Sequence, residues 1–317
     1  MKTHITPQII IAIRDMSAHP GRAARLMALC LFLVGFNHHA TAQSTMSPAD
    51  HFAWGANTGW HNWRASGADG VVIGEAFLSG YIYAANLGWI HLGDGTPSNG
   101  HTYSNTTATD CGVNHDGAGN LSGFAYGANI GWINFGWAGA NDPNRPHFDL
   151  TSGNFLGYAY SANTGWINIG TGDLYTDTMT APDLDADGIA DAWEFQKFGN
   201  LSVAGIGTDR DHDGQSDAAE YAADTDPNSA GDFLRIVSQT YNAGMTQVTL
   251  QIATTRPTRL YRIETSTTLL STGPGAWATD NSIGYFTTGP GGTTTKLVTF
   301  TGAARRFFRV AADRPLP

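Results

Sequence analysis

Two twelve-residue segments carry the oxygen-donating side chains that a calcium ion requires. Each has carboxylates at positions 1, 3, 5, 9 and 12 and glycine at position 6. Calcium takes about six to eight oxygen ligands, and this spacing folds a loop around one ion, with the carbonyl of position 7 and both oxygens of the final Glu as ligands. The predicted ligands are Asp183, Asp185, Asp187, Ile189, Asp191 and Glu194 in the first segment, and Asp209, Asp211, Asp213, Gln215, Asp217 and Glu220 in the second.

A solvated acidic linker is the alternative interpretation of these segments. Two complete matches argue against it, and so does electrostatics. Two carboxylates about 4 Å apart repel by roughly 1 kcal/mol in water and by about 4 kcal/mol near a protein surface, and a divalent ion removes that repulsion. The sequence therefore predicts about two bound calcium ions. Asp224, Asp226 and Asn228 could add ligands, although their spacing is incomplete.

Neither segment has the sequence of a complete EF-hand. Pro182 precedes the first and several glycines precede the second, so only exiting helices are expected, over Asp191 to Phe198 and Asp217 to Ala223. The segments resemble the calcium loops of thrombospondin type 3 repeats and of dockerin modules, and a dockerin would imply a cohesin partner. The interval of 26 residues between the loops favours a rigid spacer between domains. The second loop has Gln215 at position 7, where the first loop has Ile189.

Four segments between residues 51 and 170 share the motif Ala-Asn-x-Gly-Trp. Alternating aromatic and small residues before the motif predict a strand, and Asn and Gly favour a turn, so each unit is expected to form a hairpin. A third strand in each unit gives about a dozen strands, which we expect to form a small all-β array of the propeller or sandwich kind. The repeats resemble the Gly- and aromatic-rich repeats of secreted, poorly characterised bacterial proteins, a resemblance that implies no particular chemistry.

The repeat tryptophans Trp60, Trp89, Trp132 and Trp166 allow two interpretations. As ligand-binding residues they would stack on sugar rings while the repeat Asn amides bind hydroxyl groups. As structural residues they would cover the hairpins, and each Asn would hydrogen-bond its own turn. Identical spacing in every unit fits an architectural requirement at least as well as a binding one.

Residues 1–42 have the features of a signal peptide. A basic lead precedes an apolar run from Leu26 to Phe36, and Ala40-Thr41-Ala42 forms a small-x-small cleavage site before Gln43. The run is short for a membrane-spanning helix, and a membrane anchor is the alternative interpretation. We therefore expect an exported bacterial protein that is extracellular, on the cell surface or periplasmic. The mature chain would keep one cysteine, Cys111.

Composition divides the chain into four segments: the signal peptide (1–42), the repeat domain (43–175), the tandem calcium loops (176–232) and a C-terminal domain (233–317). Alternating residues and Gly-Pro turns in the last predict about seven short strands, which is typical of an immunoglobulin- or fibronectin-like sandwich. The predicted fold class is mostly β and multidomain. Period-two alternation would place several arginines on the outer side of the sandwich strands. They are Arg259, Arg262, Arg305, Arg306 and Arg309.

The charge distribution agrees with this division and argues against some partners. The formal net charge is −10, which makes nucleic acid and anionic membrane poor partners. Residues 183–232 contain 13 acidic and 2 basic residues, whereas residues 233–317 contain 3 acidic and 9 basic residues. A basic face of the C-terminal domain could therefore dock the acidic spacer or an anionic polymer of the cell surface.

No motif for nucleophilic, metal-hydrolytic or phosphate-binding catalysis is found. The leading hypothesis is a secreted or cell-surface structural or adhesive protein, in which calcium rigidifies the spacer and the partner is an extracellular polysaccharide or another copy of the chain. A carbohydrate-binding protein that uses the Trp repeats is the alternative. A polysaccharide-active enzyme is a further alternative, because a glycosidase needs only two carboxylates. Its candidate residues are Glu75, Asp94, Asp116 and Asp149.

Overall fold

Strands make up most of the regular structure. The computed structural model describes residues 43–65, 70–139, 141–273, 275–289, 292–301 and 305–316, so the signal-peptide prediction for residues 1–42 lies outside the described residues. The strands of the repeat region are β1 (Met46–Gly55), β2 (Gly59–Asn62), β3 (Val72–Ile73), β4 (Leu78–Ala84), β5 (Gly88–Gly93), β6 (Val113–His115), β7 (Leu121–Gly127), β8 (Gly131–Asn134), β9 (His147–Phe148), β10 (Phe155–Leu156), β11 (Tyr158–Ser161), β12 (Gly165–Asn168) and β13 (Leu174–Thr176).

Each repeat forms the expected hairpin. In the first, the Thr58 N–H donates to the Gly55 carbonyl (3.1 Å), and Gly59 then adopts a φ of +79° before β2 begins. A turn followed by a left-handed residue is a common hairpin connection, and glycine adopts that conformation without a steric penalty. The corresponding φ values are +81° at Gly88, +76° at Gly131 and +84° at Gly165.

A ring of side-chain hydrogen bonds joins the four hairpin turns. The repeat Asn of each turn donates from its amide to a backbone carbonyl in the preceding turn, and the first turn bonds to the fourth. The four bonds run from Asn57 to Thr164 (2.9 Å), from Asn86 to Thr58 (3.1 Å), from Asn129 to Leu87 (3.0 Å) and from Asn163 to Ile130 (2.8 Å). Each Asn therefore bonds a neighbouring turn rather than its own.

The four hairpins close into an eight-stranded antiparallel barrel. The strands follow the order β1-β2-β4-β5-β7-β8-β11-β12, and β12 pairs with β1 through Trp54 and Asn168 and through Gly55 and Ile167. The repeats thus form neither a propeller nor a sandwich. Twisted, tilted strands can return to the first strand after eight, and closure then removes the open edges of the sheet. β3 and β6 extend the barrel strands β4 and β7, and β13 pairs with β1.

The barrel interior is filled by small and branched side chains. Residues that face each other across each hairpin supply one layer. The facing pairs are Ala53 and His61, Ile82 and Ile90, Ala125 and Ile133, and Ala159 and Ile167, all buried. An eight-stranded barrel is just wide enough for side chains to fill it. The interior is therefore part of the hydrophobic core.

His61 is the polar exception in this layer. It is 1% exposed and takes the position that isoleucine holds in the other three hairpins. Its Nε2 lies 2.7 Å from the hydroxyl of Thr58. Burial lowers the pKa of His61 to about 4, because the charged imidazole would lose its hydration.

Two short helices and two small sheets follow the barrel. The helices are α1 (Asp191–Phe198) and α2 (Asp217–Ala223), over the residues predicted from the loops. β14 (Arg235–Tyr241), β15 (Gln247–Thr255) and β18 (Gly292–Thr299) form one sheet, and β16 (Leu260–Ser266), β17 (Ala278–Thr279) and β19 (Phe307–Asp313) form the other. No helix within the described ranges is long and apolar enough to cross a membrane.

One apolar core joins the two C-terminal sheets. Val248, Leu250 and Ile252 of β15 and Val298 of β18 contribute to it from one sheet, and Ile263 of β16 from the other. Because strands make up the barrel and both C-terminal sheets, the predicted mostly β fold class is confirmed. The described residues between 43 and 316 belong to one compact unit.

Removing one amide of the ring should destabilise the barrel. We expect Asn163→Ala to lower the free energy of unfolding by about 1 kcal/mol, because the bond to the Ile130 carbonyl is lost. Urea unfolding measures the change. Asn281→Ala is the control, since Asn281 is exposed in a turn. Equal effects of the two substitutions would contradict a role for the ring.

His61 should make the protein sensitive to mild acid. The unfolded chain binds a proton near pH 6.5 and the folded chain only near pH 4, so the contribution of His61 to stability is full above about pH 6.5 and is lost as the pH falls towards 4. The shift corresponds to about 3 kcal/mol. The double substitution Thr58→Ile with His61→Ile should remove this component from urea unfolding curves measured across that pH range, because Ile130 and Ile133 occupy the equivalent positions. An unchanged pH dependence would show that His61 does not titrate as a buried group.

Candidate metal centre

The two predicted calcium loops share three hydrogen bonds from a backbone N–H to a carboxylate side chain. In the first, the Asp183 carboxylate accepts from the Gly188 N–H (2.9 Å), Asp187 from Ile189 (2.9 Å), and Asp191 from Leu184 (2.9 Å). The second loop repeats these bonds with Asp209 and Gly214 (3.1 Å), Asp213 and Gln215 (2.7 Å), and Asp217 and Arg210 (3.2 Å). Two segments with little sequence in common outside the acidic positions therefore fold alike.

Both loops also bend through left-handed residues at the same two positions. Gly188 and Gly214, at position 6, have φ values of +89° and +95°. Ala186 and His212, at position 4, have φ values of +62° and +61°. A left-handed conformation costs a non-glycine residue roughly 1–2 kcal/mol. The sharp turn at both positions brings the carboxylates of each loop towards a common centre.

Carboxylate oxygens cluster in both loops. In the first, oxygens of Asp183, Asp185 and Asp191 lie within 4.8 Å of one another, and so do oxygens of Asp185, Asp187 and Glu194. In the second, oxygens of Asp209, Asp211 and Asp213 lie within 4.8 Å of one another. Such groups of hard oxygen donors are the ligands that calcium prefers.

The carboxylates of position 12 are buried, and three of their four oxygens have no hydrogen-bond partner in the described part of the chain. Glu194 is 0% exposed, and neither of its oxygens accepts a hydrogen bond in the described part of the chain. Glu220 is 1% exposed; its Oε1 accepts from Thr225 (3.3 Å), while its Oε2 has no partner there. Leaving a buried carboxylate unpaired is costly unless it is neutralised or binds a cation. The donor set therefore fits a cation in each loop.

The electrostatics of the two glutamates agree with this geometry. Burial raises the pKa of Glu194 to about 7, and the neighbouring Asp187 contributes to the rise. Burial likewise raises the pKa of Glu220 to about 8, with Asp211 and Asp213 adding to it. Several aspartates of the clusters also have a buried oxygen without a hydrogen-bond partner. Within the described residues these are Asp187 Oδ2, Asp209 Oδ1, Asp211 Oδ2 and Asp213 Oδ2.

The second loop is less complete than the first. Asp217 accepts from both the Arg210 N–H and the Thr208 hydroxyl, and it lies outside the cluster of three aspartates. The further candidates beyond the loop also make other contacts. Asp224 accepts from Thr258, Asp226 lies 3.9 Å from Lys197, and Asn228 accepts from Arg210.

A small core fastens the two helices to each other. Trp193 of α1 and Tyr221 of α2 pack edge to face with ring centroids 5.5 Å apart. Ile189 and Ala190, at positions 7 and 8 of the first loop, are buried against them. The ligands at the beginning of each helix are thus held relative to one another by packing.

The helices also contact the barrel segment. The Tyr221 hydroxyl donates to Glu75 Oε2 (2.9 Å), and the Phe195 ring lies where a side chain at Gly100 would be. Glu75, one of the candidate carboxylates of the enzyme alternative, thus contacts α2. Arg314 lies 3.6 Å from its other oxygen.

Arg259 connects α2 to the C-terminal segment. It was expected on the outer side of a strand, but it precedes β16, is 5% exposed, and donates to the carbonyls of Tyr221 (2.9 Å) and Ala222 (3.1 Å). A cation at the carbonyl end of a helix compensates the helix dipole. Arg256 adds an ion pair with Asp232 (2.6 Å). Nothing in the strand pattern of the sequence pointed to these roles.

The remaining predicted site residues lie elsewhere. Asp94, Asp116 and Asp149 each accept hydrogen bonds from their own turns.

The repeat tryptophans lie half exposed on the outer surface of the barrel. Their exposed fractions are 51% for Trp60, 48% for Trp89, 47% for Trp132 and 48% for Trp166.

Comparison with known proteins returned no match: no family model, no curated protein and no solved structure is significantly similar to the chain.

Neutralising a position-12 glutamate should have opposite effects with and without calcium. In EDTA at about pH 8, Glu194→Gln should raise the free energy of unfolding by roughly 1–2 kcal/mol, because the mutation removes a buried unpaired charge. In millimolar calcium the same variant should be less stable than the unmodified protein. Thermal melting under both conditions measures the crossover. Asp177→Asn, at an exposed carboxylate, is the control and should change stability by at most about 0.5 kcal/mol. An equal shift in both conditions would contradict cation binding by Glu194.

Proposed function

We propose that this chain is an exported, calcium-stabilised structural protein of the cell surface or extracellular medium. The observation that carries the proposal is the buried, unpartnered carboxylate of Glu194, which lies with Asp185 and Asp187 in the first loop. Glu220, at the same position of the second loop, has one buried oxygen without a hydrogen-bond partner among the described residues. About two calcium ions would neutralise these groups. The loops would then belong to the same broad class as those of thrombospondin type 3 repeats and dockerins.

Calcium in the second loop would act on the helix that holds the protein together. Glu220 and Tyr221 are adjacent in α2. Tyr221 bonds Glu75 on the barrel side, and Arg259 bonds the end of α2 from the C-terminal side. An ion that fixes Glu220 therefore stabilises both contacts. A ligand that binds only the folded state stabilises it by about 2.7 kcal/mol at 100 times its dissociation constant.

The three modules would serve as barrel, joint and terminal domain. We propose that the two C-terminal sheets form an immunoglobulin- or fibronectin-like sandwich, which their common core supports. Residues 43–175, 176–232 and 233–317 would then be the functional segments. The predicted signal peptide and loops of the kind that bind calcium at about 0.1–1 mM outside cells support an exported location.

The decisive measurement is thermal melting and protease resistance of the purified protein in calcium and in EDTA. We expect chelation to lower the melting temperature and to make the region around residues 176–232 sensitive to protease. Asp187→Ala and Asp213→Ala should each reduce the calcium-dependent part of the stability and remove about one ion from the stoichiometry measured by calorimetry. Asp177→Ala, outside the loops, should leave both unchanged. Identical melting with and without calcium would rule out the proposal.

A further inference from the structure

The outer face of the barrel repeats one arrangement of side chains four times. Each hairpin presents two aromatic residues on its first strand, and then a tryptophan and a polar residue on its second. The four sets are Phe52, Trp54, Trp60 and Asn62; Tyr81, Tyr83, Trp89 and His91; Phe124, Tyr126, Trp132 and Asn134; and Tyr158, Tyr160, Trp166 and Asn168. These sixteen positions contain no Asp, Glu, Lys or Arg.

The aromatic rings are exposed but held in place. The rings that face each other across each hairpin lie with centroids 4.7–5.0 Å apart, from Tyr160 and Trp166 at the short end to Tyr83 and Trp89 at the long end. Each of these rings is between 37% and 51% exposed. Tilted and edge-to-face pairs at this distance are favourable, and they restrict the side-chain rotamers. Stacking of a ligand on these rings therefore costs little side-chain conformational entropy.

The polar residue of three sets has its amide fixed by the backbone. Asn62 Oδ1 accepts from the Arg64 N–H (2.9 Å), Asn134 Oδ1 from Gly136 (2.7 Å), and Asn168 Oδ1 from Gly170 (2.9 Å). In each case the NH₂ group has no partner within the described ranges. The carbonyl side is occupied, so the group left for a ligand is a hydrogen-bond donor.

Aromatic residues flank every one of these polar groups on both neighbouring strands. Asn62 lies opposite Phe52 and Tyr83, His91 opposite Tyr81 and Tyr126, Asn134 opposite Phe124 and Tyr160, and Asn168 opposite Tyr158 and Trp54. A polar group between aromatic rings matches the chemistry of a pyranose, which has apolar C–H faces and hydroxyl groups at its rim. The lack of charged side chains favours an uncharged sugar over a uronate or a sulfated one.

We propose that the outer face of the barrel binds an uncharged pyranose glycan through four similar subsites, with the tryptophans as stacking surfaces and the fixed amides of three of the subsites as donors to sugar hydroxyls. The fourth subsite differs from the others, because Trp137 packs on Trp166 at 4.6 Å. A polymeric glycan that contacts several subsites gains avidity without further contacts at any one of them. This activity is independent of calcium binding.

The test is co-sedimentation and affinity electrophoresis of the purified protein with a panel of neutral polysaccharides (cellulose, xylan, mannan, chitin and starch), with alginate and pectate as acidic counterparts and with zwitterionic phospholipid vesicles. We expect retention by at least one neutral polymer that is insensitive to added salt and to EDTA. The triple variant Asn62→Asp, Asn134→Asp and Asn168→Asp keeps each Oδ1 acceptor and removes the donors. It should lower affinity about tenfold or more, with an unchanged far-ultraviolet spectrum.

A second pair of variants separates stacking from folding. Trp89→Ala with Trp132→Ala should also reduce binding about tenfold, whereas Tyr285→Ala, at a 60% exposed aromatic outside the barrel, should leave it unchanged. Four results would each overturn the proposal. The first is retention by none of the neutral polymers, and the second is retention by acidic polymers or vesicles only. The third is concentration-dependent self-association through this face in place of glycan binding, and the fourth is undiminished binding by the triple variant. A protein whose stability does not depend on calcium would contradict the proposed function and not the glycan proposal, so the two proposals fail separately.

Discussion

The hydrogen bond from one repeat Asn to the carbonyl of the preceding turn is the interaction on which the barrel depends. It links turns that are 28 to 107 residues apart in sequence, and the four bonds form a closed ring. The glycine of each turn has a positive φ, which glycine adopts without a steric penalty. The incoming amide adds a second constraint at Gly131, where a Cβ would lie only 3.0 Å from Asn163 Nδ2. Asn supplies the bond between turns and Gly the backbone conformation, while the tryptophan that follows faces outwards.

Local signals in the sequence were sufficient for the elements that form by local interactions. The hairpins and both loop helices occur where the repeat and the spacing of acidic residues placed them. The hydrogen bonds that Asp183 and Asp209 accept from Gly188 and Gly214 follow from the same spacing. Closure of the barrel could not be predicted in this way. It depends on the pairing of Trp54 with Asn168, two positions whose own neighbourhoods resemble those of every other hairpin.

Polar contacts between distant segments of the chain also could not be predicted from the local sequence pattern. Arg259 was assigned to a strand face because the surrounding residues alternate, but its partners are carbonyls at the end of α2. The hydrogen bond between Glu75 and Tyr221 likewise joins residues far apart in the sequence. In both cases the partner lies in a different segment of the chain. The spacing of the acidic residues predicts where the two loops lie, whereas the contacts of Glu75 and Arg259 with α2 depend on how distant segments fold together.

Pairing of β1 with both β12 and β13 places the beginning and the end of the barrel segment side by side. Met46 lies opposite Thr176, so the chain enters and leaves the barrel through neighbouring strands. Joining these two ends by a short linker and opening the chain between two other hairpins would preserve every strand pair. The segment thus has the geometry of a domain that tolerates circular permutation and that can be inserted into the loop of a host protein without separating the two sides of that loop.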